Sequence, residues 1–398
     1  MKQNWEYKKL GDVCDALTGL WTGKKEPFVN VAVIRNTNFS KDCKLKLDDV
    51  AYLDVEQKQY ATRKLLPGDI IVEKSGGSDK QPVGRVVLFD IPQGEYSFSN
   101  FTGTLRIKNA QELNSKYLYR CLVAHYFKGA TRKLQSKTTG LHNLDMKGYL
   151  KLPIPVPPMS EQSRIVAELD LLTGIIDKQK TQLKELDNLA QSIFYDMFGD
   201  PIENPKGWDI KPIGNIGKIV TGNTPSRSVK KYYDSPFIEW IKSDNLSNDF
   251  MYASKAKEYL SEEGALKGRV LPVGSVLVTC IAGSISTIGT ASCVDRKVAF
   301  NQQINAIVPN EDIVQTLYLL YTVRLMGSKI RACATNGMKH IITKSVFEKI
   351  PFVLPPLKLQ QEFADKIIAI ESQKSAINQS MAETQKLLDY TMDKHFGD

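Results

Sequence analysis

The chain has 398 residues, of which 42% are apolar and 24% charged, enough material for two folded domains of roughly 150 residues with connecting elements. Its 53 Lys and Arg against 44 Asp and Glu leave a net charge of +9, which points toward an acidic partner such as nucleic acid. The six cysteines form no C-x-x-C pair and the four histidines do not sit beside them in ligand spacing, so a zinc module is excluded and free thiols in a reducing compartment are expected. No run reaches the roughly 20 apolar residues that span a bilayer, and the first residues lack the apolar core of a secretory signal. The expected location is the cytoplasm, with no membrane contact.

In chain order, the elements occur twice. Trp5, Lys8, Gly11, Thr18 and Gly19 open the first copy, and Trp208, Lys211, Gly214, Thr221 and Gly222 open the second. Val33 to Asn38 is answered by Trp240 to Asn245, and Leu66-Pro67-Gly68-Asp69-Ile70-Ile71-Val72 by Leu271 to Val278 with one extra residue. Phe98-Ser99-Asn100 corresponds to Phe300-Asn301-Gln302, His142 to His340, and Pro157-Pro158 to Pro355-Pro356. Within each copy, short apolar runs such as Ile70-Ile71-Val72 and Val86-Val87-Leu88-Phe89 alternate with Gly, Pro, Asn and Ser clusters and read as strands. Helical patches fall at Lys116 to Phe127 and Val314 to Met326, so the class is α+β. Prolines 153, 155, 157 and 158, then 351, 355 and 356, close each domain, because residues before proline are driven to extended geometry.

A long helix follows each proline exit. In the first, Ile165, Leu169, Leu172, Ile176, Leu183, Leu186, Ala190, Ile193 and Met197 fall in alternating steps of four and three, with Gln179 in the remaining slot. In the second, Phe363, Ile367, Ile370, Lys374, Ile377, Met381, Thr384, Leu388, Thr391 and His395 continue the register. A helix of about 38 residues is about 57 Å long at 1.5 Å per residue. Equal length and register predict that the two helices pair antiparallel within the chain, about a pseudo-two-fold axis, as an intramolecular coiled coil. Lys374 and Gln179 at seam positions then restrict register and partner. The expected divisions are 1–158 and 200–356 for the domains, 159–199 and 357–398 for the helices.

Two similar but diverged domains on a stiff rod suit a target with two unlike features at a set separation. Duplex DNA repeats one face about every 34–36 Å and meets that description. At this point the chain resembles the specificity subunit of a Type I restriction–modification system. The resemblance covers nearly its whole length: the Trp-x-x-x-x-Leu/Ile-Gly openings, Leu-Pro-Gly-Asp-Ile, Phe-Ser-Asn and Phe-Asn-Gln, Ile154-Pro155-Val156-Pro157-Pro158 followed by Glu161-Gln162, and Phe-Gly-Asp closing each helix. The second copy departs at its exit, where Leu359 stands in place of the glutamate. The resemblance implies a non-catalytic subunit with two target-recognition domains and a helical spacer that docks two methyltransferase subunits. It also implies an endonuclease and translocase partner in some assemblies, with S-adenosylmethionine, ATP and Mg2+ held by the partners and none by this chain. The competing reading is a coiled-coil adaptor whose two domains hold proteins.

Base edges are read by Arg, Lys, Asn and Gln, and phosphates by Lys, Ser, Thr and backbone amides. The first-copy candidates are therefore Arg35 and Asn36; the loop Lys74, Ser75, Gly76, Gly77, Ser78, Lys80 and Gln81; Asn100 and Phe101; and Lys137, Thr138, Thr139 and His142. Their second-copy counterparts are Lys242, Asp244 and Asn245; Thr279, Gly283 and Ser284; Asn301, Gln302 and Gln303; and Asn336, Lys339 and His340. Asp69, Glu73 and Lys74 faintly suggest a nuclease metal site. The Glu-x-Lys spacing is missing, however, and the second copy has Ser275 and Thr279 there, so no metal or catalytic residue is expected.

Overall fold

A computed structural model describes residues 5–21, 25–138 and 141–397. Thr139 lies outside the described residues, as do the side chains of Lys137 and Thr138. The chain forms two compact units, Met1–Gln179 with Gln379–Asp398, and Lys180–Asn378. Each unit takes in one domain with the near half of its own helix and the far half of the other.

The first unit is built on an antiparallel sheet in the order Cys14–Thr18, Thr102–Ile107, Asp69–Glu73, Val86–Phe89. Its strand Asp69–Glu73 is buried at every position because both faces are covered. Alternation divides it: Ile70 and Val72 pack with Leu118 and Leu122 of the helix Ser115–Phe127, while Ile71 packs with Ile34, Phe89 and Phe98 on the other face. That helix starts where the Asn114 side chain accepts hydrogen bonds from the amides of Lys116 and Tyr117. A second sheet runs Ala51–Glu56, Phe28–Ile34, Tyr96–Phe98, the last pair parallel. The opening strand Glu6–Lys9 pairs with the proline exit Pro153–Val156, which explains why both ends of the domain carry matched motifs.

The second unit repeats this plan. Its main sheet runs Gly217–Thr221, Ile304–Pro309, Val276–Thr279, Ala291–Cys293, and Asp209–Pro212 pairs with Pro351–Leu354. Its second sheet again contains a parallel pair, Ile238–Ile241 beside Val298–Phe300. The matched glycines at the first crossing are required by close approach. A Cβ on Gly19 would lie 1.9 Å from the Ser99 carbonyl oxygen, and one on Gly222 2.0 Å from that of Asn301.

The long helices are Met159–Phe198 and Leu357–Phe396, 40 residues each. They run antiparallel: Gln179 Nε2 donates to Ser380 Oγ at 2.9 Å, Lys374 Nζ lies 2.7 Å from Asp187, and the Phe194 and Phe363 rings are 5.5 Å apart. Every seam position named above is buried or half-buried. Full burial is concentrated toward the helix ends, at Ile165, Leu169, Leu172 and Ile176 and at Phe363, Ile367 and Ile370, where each helix also packs on a domain. Leu183, Leu186, Ile193, Ile377, Met381 and Leu388 remain half-buried. Phe194 and Phe198, off the seam, enter the core of the second unit. Each exit is tied to its helix by a fully buried glutamine. Gln162 Nε2 donates to the Pro157 carbonyl at 2.8 Å and Gln360 Nε2 to that of Pro355 at 2.7 Å, while their Oε1 atoms accept from the amides of Asn114 and Gln315. The missing glutamate at Leu359 therefore leaves this tie intact.

His395 is 4% exposed, stacks on Trp5 at 6.3 Å, and has Glu168, Glu161, Arg164 and Lys394 around it. Burial first, then Lys394, lower its pKa from 6.5 against the pull of Glu168. The unfolded chain therefore takes up this proton at higher pH than the folded one. The contribution of this group to stability is complete above about pH 6.5 and is lost as pH falls toward the depressed folded value. We expect Tm to drop on acidification from neutral toward about pH 5 and His395→Leu to flatten that drop. An identical slope in the variant would place the cause elsewhere.

Candidate nucleic-acid interface

In the first unit, the buried strand Asp69–Glu73 leads into a short strand, Ser75–Gly77. This pairs with Leu141–Leu144, which pairs in turn with Gln135–Thr138. Four candidate patches far apart in sequence converge here. The amides of Lys74 and Ser75 donate to the Phe101 carbonyl at 2.9 and 3.1 Å, and the Leu144 amide donates to the Lys74 carbonyl at 2.7 Å. Asn36 Nδ2 donates to the Ser75 carbonyl at 2.5 Å, and Ser75 Oγ to Asn143 Oδ1 at 2.5 Å. Gly76 has φ +101°, in the left-handed region, and a Cβ there would press on Asn36 Nδ2.

The outward chemistry is mixed. Gly76, Ser78, Lys80, Asn100 and Phe101 are exposed; Ser78 Oγ accepts from the Gln81 amide at 3.1 Å to close the turn. Lys74 is half-buried, and burial lowers the pKa of its ammonium. His142 sits opposite Gly77, with Nδ1 2.9 Å from Gln135 Oε1 and Nε2 3.2 Å from Asp79. Arg35 lies 3.8 Å from Asp49 at the edge of the same group. The backbone of Lys137 pairs with that of His142.

The second unit keeps this hydrogen-bonded frame and changes its side chains. The amides of Cys280 and Ile281 donate to the Gln303 carbonyl at 2.8 and 3.0 Å, the Ile342 amide donates to the Cys280 carbonyl at 2.8 Å, and His340 sits opposite Ala282. Lys74, Ser75 and Phe101 thus correspond to Cys280, Ile281 and Gln303. Gln303 Oε1 accepts from Asn301 Nδ2 at 2.8 Å and Ser243 Oγ at 3.2 Å, and Gln302 meets Thr224 Oγ1. Thr279 and Asn301 are buried within the sheet and turn. Asn245 accepts from the Lys242 amide at 3.0 Å and donates to Ser254 and Lys255, as Asn38 does for Arg35 in the first unit, so its amide builds the turn. Asp244, Gly283, Ser284, Asn336 and Lys339 are exposed.

Of one further group, the sequence pointed to Lys242 alone. Arg227 lies over Tyr233 at 4.5 Å and Trp240 at 4.9 Å, with Lys242 on the same Trp240 ring at 5.0 Å and Glu258 bound to both cations. The available signal was the longer stretch between Gly222 and Trp240 than between Gly19 and Val33. The acidic cluster has its own partners. Arg106 holds Asp69 through two hydrogen bonds at 2.8 and 2.7 Å, and Arg85 holds Glu73 at 2.9 and 2.8 Å, so neither carboxylate is presented to a metal. Burial pushes the Cys14, Cys121, Cys280 and Cys293 thiols up to about 12, which keeps them protonated and unreactive. Among the described residues, no helix is long and apolar enough to cross a membrane.

Comparison with known proteins places this geometry. The chain is 21% identical over 426 aligned positions to the type I restriction enzyme EcoKI specificity subunit of Escherichia coli K12, covering 100% of this chain and 89% of that one. Over 193 residues, 46% of this chain and 40% of the relative, it is 31% identical to the HindI specificity subunit of Haemophilus influenzae. Its fold is similar to the crystal structure of a type I restriction–modification S subunit from M. genitalium, with a TM-score of 0.59 at 13% identity over 100% of this chain and 97% of that chain. The Type I restriction modification DNA specificity domain matches residues 2–188 and again 205–386, one copy per repeat. With two such domains and two contacting helices, the chain belongs to the Type I restriction–modification DNA specificity family and is a DNA-specificity subunit.

Proposed function

We propose that this chain reads an asymmetric, bipartite DNA sequence, one half-site per domain, and that its paired helices dock two methyltransferase subunits. The observation that carries the reading is one backbone frame, on Lys74, Ser75 and Phe101 in one unit and on Cys280, Ile281 and Gln303 in the other, set among unlike exposed side chains: Lys80, Asn100 and Phe101 in the first, Gln302, Asn336 and Lys339 in the second. A frame shared by the two units orients the loops, and unlike side chains recognise unlike bases. The base-reading set is drawn from the exposed candidates around these frames, together with Arg227. The chain contributes no catalytic group: methyl transfer with S-adenosylmethionine, and any ATP- and Mg2+-dependent cleavage, belong to methyltransferase and endonuclease subunits of a cytoplasmic assembly.

Methylation mapping of host DNA with the gene present and deleted tests this. Loss of one two-part, non-palindromic methylated motif on deletion is expected; an unchanged methylome would refute it. The paired helices, joined at Gln179 with Ser380 and Lys374 with Asp187, are proposed to set the half-site separation. Inserting one heptad into each helix adds about 10 Å at 1.5 Å per residue. The mapped spacer is then expected to lengthen by about 3 base pairs at about 3.4 Å each, with both half-sites unchanged. A constant spacer would remove the helices from this role.

A further inference from the structure

Beside the loop of the first unit lies a second concavity, lined by Lys41, Lys80, Arg85, Tyr126, Phe127 and Arg132 among others. Arg85 is neutralised inside the protein by Glu73. Lys41, Lys80 and Arg132 are exposed and make no ion pair with any described residue. Of the acids nearest them in sequence, Asp42 lies 4.0 Å from Lys44, and Asp79 lies 3.2 Å from His142. Three cations around one hollow repel one another, and a hollow with low-dielectric walls concentrates that positive field.

We infer that this hollow seats backbone phosphates of duplex DNA flanking the half-site read by the first domain, with Lys41 and Arg132 as sequence-independent contacts. The inference rests on the DNA-reading function proposed above and extends its footprint. The hollow is continuous with the reading loop: an adjoining one, lined by Ser78, Gln135 and His142, shares Pro82 and Arg132 with it. Its cations are only partly repeated in the second domain. Three positions past the turn asparagine, Lys41 is matched by Asn248, whose side chain accepts from the Ala291 amide at 3.0 Å, and Arg85 is matched by Thr290. Arg132 keeps a counterpart, Arg331, because Gly84 packs on Thr131 as Gly289 packs on Ile330. Phosphate contacts need no particular base, so one domain can hold more of them than the other without altering what either reads.

The test uses the full-length chain and a mixed-sequence DNA duplex, with binding measured over a range of salt concentrations. Lys41→Ala and Arg132→Ala are each expected to reduce the slope of log affinity against log salt by about 0.9, and the double variant by about twice that. Lys133→Ala, an exposed neighbour outside the hollow, is expected to leave the slope unchanged. Melting temperatures of the variants and the methylated motif in cells are expected to be those of the parent. Unchanged slopes in the double variant beside a steep parental slope overturn the phosphate seat and leave the DNA-reading function standing. An equal loss with Lys133→Ala, or a changed motif, also overturns it. A parent that shows no salt-dependent binding removes both.

Discussion

Replacing Glu73 with alanine is expected to destabilise the first unit by about 3–5 kcal/mol, because it strands a buried guanidinium. Arg85 is 5% exposed and Glu73 1%; they share two hydrogen bonds, and Arg85 Nη1 also donates to the Phe39 carbonyl at 3.0 Å. Removing both charges is a different matter. In the second unit the equivalent positions are Thr279 and Thr290, identified by the same backbone bond: the Glu73 amide to the Arg85 carbonyl at 2.8 Å, the Thr279 amide to the Thr290 carbonyl at 2.9 Å. The protein thus already contains an uncharged version of this pair, and Glu73→Thr with Arg85→Thr is expected to recover most of the loss. Denaturant unfolding of the parent, the single variant and the double variant measures the coupling. A double variant as unstable as the single would mean that the ion pair itself, and not the uncompensated charge, governs stability.

Phe194→Ala is expected to cost about 3–5 kcal/mol in the second unit, the usual range for a large aromatic removed from a core. Its side chain is fully buried between Tyr318, stacked at 5.8 Å, Phe363 at 5.5 Å and Phe198 at 5.2 Å. Both long helices meet a domain helix at this ring, so the cavity cannot collapse without moving one of them. Leu189→Ala, on the same helix but 48% exposed, is expected to change stability by no more than about 0.5 kcal/mol. Equal losses in the two variants would show that Phe194 anchors nothing particular. A large loss with normal DNA specificity in the surviving folded protein would separate the helix anchor from the reading surface.

Much of this architecture is a local property of the amino-acid order. The repeat, the α+β class, the proline exits and the two helices follow from short-range patterns, and a seam with steps of three and four places its apolar residues on one helix face wherever the helix sits. The seam positions from Ile165 to His395 accordingly all avoid full exposure. Tertiary structure decided what such patterns cannot express. Asn36 meets Ser75, Phe101 meets Lys74, and His142 meets Gly77 only because sheet pairing closes long loops. The same closure set Asp69 against Arg106 and Glu73 against Arg85, engaged the Asn245 and Asn301 amides within turns, and stacked Arg227 on Trp240. Residue type states what a side chain is able to bind. Which partner it finds depends on contacts between distant segments, and these form only when the cores of the two units assemble.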